Sequence, residues 1–299
     1  MKPFRVLSLF DGISCGQLAL ERANIPVEIY WASEIEKNAI AVTNYHYGDT
    51  TVQLGDVNNW RTWRIPWHTI DLIIFGSPCV DLSSAGNRKG LKGERSGLFY
   101  VAADIVDFVK TLNPNVKFLA ENVKMDKKWE EVFTQRLGVE PVHINSRLIS
   151  AQDRKRLYWC NWQIVQPEDK NISFSDVVED GWYCASMRGR RIKNGHRCDY
   201  DKTIPIEQYI ECRKDNKSNC CTTVSKDNVA VPIKLPRQKA SETEWRYLSP
   251  IEYERLQTLP DNYTAIVDSD FARRSLCGNG WTVDVIAHIF NCLKGEMEQ

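Results

Sequence analysis

The chain has 299 residues, of which 42% are hydrophobic and 26% charged, the composition of a soluble globular protein that folds without metals or disulfides around one large core or two unequal ones. Lys plus Arg (39) equals Asp plus Glu (39), so no overall field draws the protein to nucleic acid, and any such partner must be held by local patches. No stretch has the length of a signal h-region or a membrane span, and ten dispersed cysteines without a C-x-x-C pair argue for reduced thiols, which predicts a cytoplasmic protein with no membrane and no metal.

Arg5 to Phe10 reads as a short apolar strand, Gln17 to Ala23 as a helix, Val27 to Ala32 as a second strand and Lys37 to Tyr45 as a second helix. Val52 and Leu54 mark a short strand, residues 71–75 a buried one, Leu98 to Thr111 a helix, and Lys117 to Ala120 another buried strand. This alternation predicts an α/β fold with a doubly wound, mostly parallel sheet. After Trp162 the pattern is lost until about Trp245, which predicts a smaller irregular domain. Ser249 and Pro250 then open a helix as N-cap and first residue, and a final helix runs from about Thr282 to Leu293. The expected division is 1–162, 163–245, and a segment 246–299 that returns to the first domain.

The first strand runs into Phe10-Asp11-Gly12-Ile13 and on to Gly16, which places a glycine-containing turn at the ligand edge of the sheet. Strand two ends at Glu34, where an acid can accept hydrogen bonds from both ribose hydroxyls of a nucleoside cofactor, and Asp56 after the third strand could accept from an adenine amino group. Without the G-x-G-x-x-G spacing these features do not choose a cofactor. The fourth strand ends in Phe75-Gly-Ser-Pro-Cys79, a thiol on a turn stiffened by proline, and the fifth ends in Ala120-Glu121-Asn-Val, a carboxylate on the same edge. Arg154 and Arg156, two apart, share a face if their segment is extended.

In this order, the Phe-Asp-Gly turn, Pro78-Cys79, Glu121-Asn-Val, Arg154-Lys-Arg156 and a terminal Gly278-Asn-Gly-Trp281 resemble the carbon-5 cytosine DNA methyltransferases. Phe-Asp-Gly-Ile, Gly-Ser-Pro-Cys and Trp281 look closer to the animal de novo group, while the short chain fits a bacterial or phage enzyme. The resemblance implies that Cys79 adds to carbon 6 of cytosine, that Glu121 steadies the ring at nitrogen 3, and that Arg154 and Arg156 hold the base and its flanking phosphate. It implies S-adenosylmethionine as cofactor, bound by Phe10, Asp11, Gly12, Ile13, Glu34, Ile35, Asp56, Val57, Gly76, Asn279, Gly280 and Trp281. The partner is double-stranded DNA, whose target base must be flipped out of the stack. The segment Ser83 to Gly97, with Arg88 and Lys89, suits a mobile loop closing over that base.

The polar middle corresponds to the family's target-recognition domain, and within it Ser186 to Arg197 carries five Lys or Arg and no acid. Arg188, Arg190 and Arg191 are the DNA-contact candidates there. Two departures stand out: Val80 where relatives commonly have glutamine or asparagine, and Ser14 where many have glycine. Three alternatives compete. A transfer-RNA cytosine methyltransferase is disfavoured by the basic insert, a catalytically dead DNA-binding regulator by the presence of every reactive residue, and a nicotinamide dehydrogenase by the missing glycine signature.

Overall fold

A computed structural model describes residues 2–78 and 97–298. The chain divides into two compact units, the first made of residues 1–145, 155–167 and 281–299, the second of 146–154 and 168–280.

In the first unit, seven strands form one sheet: β1 (Phe4–Leu9), β2 (Val27–Ser33), β3 (Thr51–Gln53), β4 (Leu72–Gly76), β5 (Lys117–Val123), β6 (Val142–Asn145) and β7 (Lys155–Cys160). Their spatial order is β3-β2-β1-β4-β5-β7-β6. Neighbours from β3 to β5 pair parallel, and β7 runs antiparallel to both β5 and β6. Strand order reverses between β1 and β4, the switch point at which open α/β sheets leave a crevice beyond the carboxyl ends of their strands. The register brings those ends level: Leu9 lies opposite both Ser33 and Phe75, and Gly76 opposite Glu121.

Four helices intervene, α1 (Cys15–Arg22), α2 (Lys37–Tyr47), α3 (Leu98–Leu112) and α4 (Lys127–Leu137). The expected strands and helices of this unit are present, because near-continuous apolar runs such as Leu72 to Phe75 are buried on both faces of a covered parallel sheet. α3 buries Phe99, Ala102, Ala103, Val106 and Val109, an apolar stripe at helical spacing. Phe99 stacks on Phe133 of α4 with ring centroids 3.6 Å apart, and Phe133 leans on Trp159 of β7. Each such fully buried ring contributes about 1.5–3 kcal/mol by leaving water. A last helix, Val283–Met297, packs against α1, with Arg22 and Asp284 paired at 2.6 Å.

The second unit is more regular than its composition predicts. Strands 238–239, 207–212, 183–190, 229–231 and 246–247 form an antiparallel sheet in that order. Tyr183–Arg190 escapes a periodicity reading because its buried stretch is Cys184, Ala185, Ser186 and Met187, small and only weakly apolar. A small core of Ala185, Met187, Ile210, Val229 and Val231 lies under it. Strands 192–193 and 196–197 make a hairpin whose Asn194 and Gly195 both have positive φ, 51° and 78°, as a two-residue hairpin turn requires.

The division differs from 1–162, 163–245 and 246–299. Residues 146–154 and 246–280 belong to the second unit, and only 281–299 return to the first. The cause is a buried polar network invisible to a pattern of apolar residues. Gln152 Nε2 donates to the Leu256 carbonyl at 2.6 Å and to Gln257 Oε1 at 2.7 Å, and Gln257 Nε2 donates to the Cys277 carbonyl at 2.6 Å. The helices Pro250–Leu256 and Asp270–Asn279 are thereby tied to the segment before β7. The first of them opens as expected, with Ser249 and Glu252 forming a reciprocal cap.

Candidate active site

The turn after β1 is built by one carboxylate. Phe10 and Ser14 adopt positive φ, 56° and 55°, conformations that cost an L-residue energy and persist only where the surroundings over-determine them. Asp11 does so here: Oδ1 accepts from Ser8 Oγ at 2.6 Å and from Tyr30 Oη at 2.7 Å, and Oδ2 from Ser14 Oγ. Burial pushes the Asp11 carboxyl up to about 6, against the lowering effect of those three hydroxyls. Asp11 was expected as a cofactor ligand; in the structure its oxygens accept the three hydroxyls that shape the turn. Ser8 and Ser14 stand three residues either side of it, a legible spacing; Tyr30, from β2, is not legible.

Glu34 at the end of β2 closes the turn from the other side. Its Oε2 accepts from the Gly12 amide at 2.8 Å, and its Oε1 from the amides of Ile35 and Glu36 at 2.7 and 2.9 Å. A Cβ placed on Gly12 would meet nothing within 4 Å, so the turn borders open space. Ile35, 70% exposed, offers bare apolar surface beside that carboxylate. Ile13 is buried. Asp56 accepts from Asn58 N and Nδ2, both at 2.9 Å, and caps the short 3-10 helix Val57–Thr62. Val57 is 4% exposed and belongs to the core.

The ends of β4 and β5 meet at Glu121, which is 8% exposed. Oε1 forms an ion pair with Arg156, 2.9 Å from its Nε, and Oε2 accepts from the indole N–H of Trp281 at 3.1 Å. Gly76 lies opposite Glu121 in the sheet, and a Cβ there would come within 2.8 Å of Trp281 Nε1 and 3.0 Å of Glu121 Oε2. Glycine at 76 is what lets the indole and the carboxylate meet. Asn122, buried, donates from Nδ2 to both the carbonyl and the Oγ of Ser77 at 3.1 Å, which fastens the end of β5 to the segment leaving β4. That segment continues through Pro78 to Cys79. Cys79, Ser83, Arg88 and Lys89 lie outside the described residues.

Arg154 corrects an expectation. Arg156 reaches Glu121 within the first unit, whereas Arg154 belongs to the second, where it is 4% exposed. Its guanidinium donates to the carbonyls of Cys221 at 2.8 Å and Gly280 at 2.9 Å. A buried fork committed to backbone carbonyls cannot take a phosphate, so Arg154 is a framework residue. Gly280 supplies one of those carbonyls, and Asn279 ends the helix Asp270–Asn279 as an exposed residue of the same unit.

The arginines of the basic segment also have partners within the fold. Arg188 pairs with Asp227, Arg190 makes two 2.8 Å bonds to Glu211, and Arg191 Nε donates to the Ile204 carbonyl at 2.9 Å. The segment holds no acid itself, but folding brings acids to it from neighbouring strands. Lys193 at the hairpin and Lys226 in the 3-10 turn 225–227 are exposed.

A family model for C-5 cytosine-specific DNA methylases matches residues 4–161 and 163–295. The orphan methyltransferase M.SPRI of Bacillus phage SPR is 31% identical over 199 residues, covering 60% of this chain and 44% of the phage protein. The Type II methyltransferase M.NlaX of Neisseria lactamica is 26% identical over an alignment covering 98% of this chain and 97% of that one. The chain thus spans less than half the length of the phage relative and nearly all of the Neisseria one. Among solved structures, the Entamoeba histolytica methyltransferase EhMeth superposes with a TM-score of 0.72 over the whole of both chains at 16% identity, a likeness of fold.

Proposed function

Because this chain belongs to the C-5 cytosine-specific DNA methylase family, we propose that it transfers a methyl group from S-adenosylmethionine to carbon 5 of cytosine in double-stranded DNA. The observation that carries the reading is Glu121, nearly buried at the strand end beside the segment that leads to Cys79, with each carboxylate oxygen held by one donor.

The residues at the first turn suit an adenosyl cofactor. Glu34 presents a carboxylate to ribose hydroxyls, the exposed Ile35 offers a face to a purine ring, and Gly12 borders space that a side chain would narrow. When bound, S-adenosylmethionine supplies an electrophilic methyl group.

Cytosine carbon 5 is too weak a nucleophile to take that methyl unaided. The Cys79 thiolate adds to carbon 6, and electron density moves onto carbon 5 and the ring nitrogen. A proton taken up from solvent is shared between the Glu121 carboxylate and ring nitrogen 3 as this charge develops, and Arg156 fixes the plane of the carboxyl group. Carbon 5 would then take the methyl group, the new carbon–carbon bond forming as the sulfur–methyl bond breaks and leaves its electron pair on sulfur. Loss of its proton to solvent and departure of the Cys79 thiolate then restore the aromatic ring. None of these atoms is accessible in a stacked duplex, so the base is flipped out at a cost of a few kcal/mol that protein contacts offset.

The second unit is the candidate for reading the DNA. With three arginines internally engaged, phosphate contacts fall to exposed cations such as Lys193 and Lys226. The deciding experiment incubates the protein with tritiated S-adenosylmethionine and either duplex DNA or transfer RNA, then identifies the labelled base. Label in 5-methylcytosine of DNA is expected. Label only in transfer RNA, or in neither, would overturn the proposal.

A further inference from the structure

Trp281 stands where the resemblance implies a cofactor contact, yet its single polar atom turns elsewhere. An indole has one donor and no acceptor, so a half-buried indole N–H has one bond to make. It makes that bond to Glu121 Oε2 at 3.1 Å. Two glycines shape the approach: Gly76 leaves no Cβ between the indole nitrogen and the carboxylate, and a Cβ on Gly16 would lie 3.4 Å from the far edge of the same ring. The bond joins residues 160 positions apart and brings the segment before the last helix to the end of β5.

We infer that Trp281 is a positioning residue for Glu121, acting together with Arg156. The inference rests on the reading of Glu121 as the group that steadies the cytosine ring. Arg156 holds one carboxylate oxygen and Trp281 the other, so the carboxyl plane is fixed before substrate arrives and little reorganisation is left for the reaction. Neither donor alone does this, since a carboxylate held through one oxygen still rotates about its terminal bond. The carboxylate is a strong acceptor, which makes the indole bond charge-assisted.

Trp281→Phe keeps the ring and removes only the N–H. Steady-state methyl transfer should lose roughly tenfold in kcat, the order expected for one hydrogen bond to a charged group. KM for DNA and Kd for S-adenosylmethionine should stay within about twofold, since the ring remains. A second measurement does not need activity. In 15N-labelled protein, the indole resonance missing from Trp281→Phe identifies Trp281, and in Glu121→Gln that resonance should move upfield while the other indoles hold. An unchanged kcat, or a loss that lies wholly in cofactor affinity, would overturn the positioning role. So would an indole resonance that ignores Glu121→Gln. If instead the unaltered protein labels no DNA, it is the reading of the site that falls, and the indole resonance still reports whether the contact exists.

Discussion

The Gly12 amide donates to Glu34 Oε2 at 2.8 Å, so the turn after the first strand is held by the first residue beyond the second. The same carboxylate takes two further amides, from Ile35 and Glu36. Glu34→Ala should therefore weaken S-adenosylmethionine binding at least tenfold and lower Tm slightly as well, because the half-buried Gly12 amide and two exposed amides lose a partner. Calorimetric titration and a thermal melt on the same sample would check both. Weakened binding without any thermal change would mean that Glu34 serves the cofactor alone.

For the nucleophile, Cys79→Ala should abolish methyl transfer and leave cofactor affinity nearly unchanged. The unaltered protein should be trapped on duplex DNA that contains 5-fluorocytosine, since fluorine cannot leave as a proton does. Residual methylation by the alanine variant would rule out the covalent route.

The two arginines of Arg154-Lys-Arg156 should part company. Arg154→Ala takes the guanidinium donor from the Cys221 and Gly280 carbonyls, the latter keeping only its 3.0 Å bond from Gln257 Nε2, and about 2–4 kcal/mol of stability should go with it. Arg154→Lys should not restore it, because a single ammonium cannot span both carbonyls. Arg156→Ala should instead lower kcat with a smaller thermal effect. Denaturant melts and turnover measured side by side would separate the two; equal behaviour would contradict the assignment.

What the chain discloses by itself follows from how local each determinant is. Phe10 to Ile13, Glu34 and Glu121 were legible because strand ends can be read from apolar runs, and a residue at the end of a parallel strand faces the ligand edge. The roles of Arg188, Arg190 and Arg191 were not legible. Their partners Asp227, Glu211 and the Ile204 carbonyl arrive through turns and antiparallel pairing, so a segment without acids reads as free positive charge until it is folded. The partners of Arg154 and Trp281 were not legible for the same reason, lying 67 and 160 residues away.

Replacing Arg188, Arg190 and Arg191 with alanine should consequently lower Tm and leave the salt dependence of DNA binding almost unaltered. Lys193→Ala and Lys226→Ala should each reduce the log-log salt slope by about one unit if each touches a phosphate. Titrations at several salt concentrations on matched and mismatched duplexes would show which set matters. A flattened slope from the arginine variants alone would return DNA contact to them.

A pH dependence follows from Asp11. Its carboxyl is raised to about 6 in the fold, chiefly by burial, so the folded protein binds that proton more tightly than the unfolded chain does. On this group's account, stability rises as pH falls from 6 toward the ordinary carboxylate range near 4, and the gain is absent above 6. Asp11→Asn mimics the neutral acid and should flatten this part of the profile. Thermal melts of both proteins at pH 7 and pH 5 would test it; parallel profiles would remove Asp11 as the cause.

The last helix, Val283–Met297, covers α1, although α1 leaves the ribosome more than 250 residues earlier. Until that helix arrives, the part of α1 that it covers stays open to solvent. Contacts of such long sequence separation close slowly, because the entropy of the intervening loop is lost before the contact rewards it. A nascent or truncated chain would therefore expose a sticky face for the whole time that the second unit is being made. Chaperone capture, and aggregation when synthesis outruns it, are the hazards this topology carries. Fusing residues 281–299 ahead of residue 2 through a flexible linker would shorten the wait.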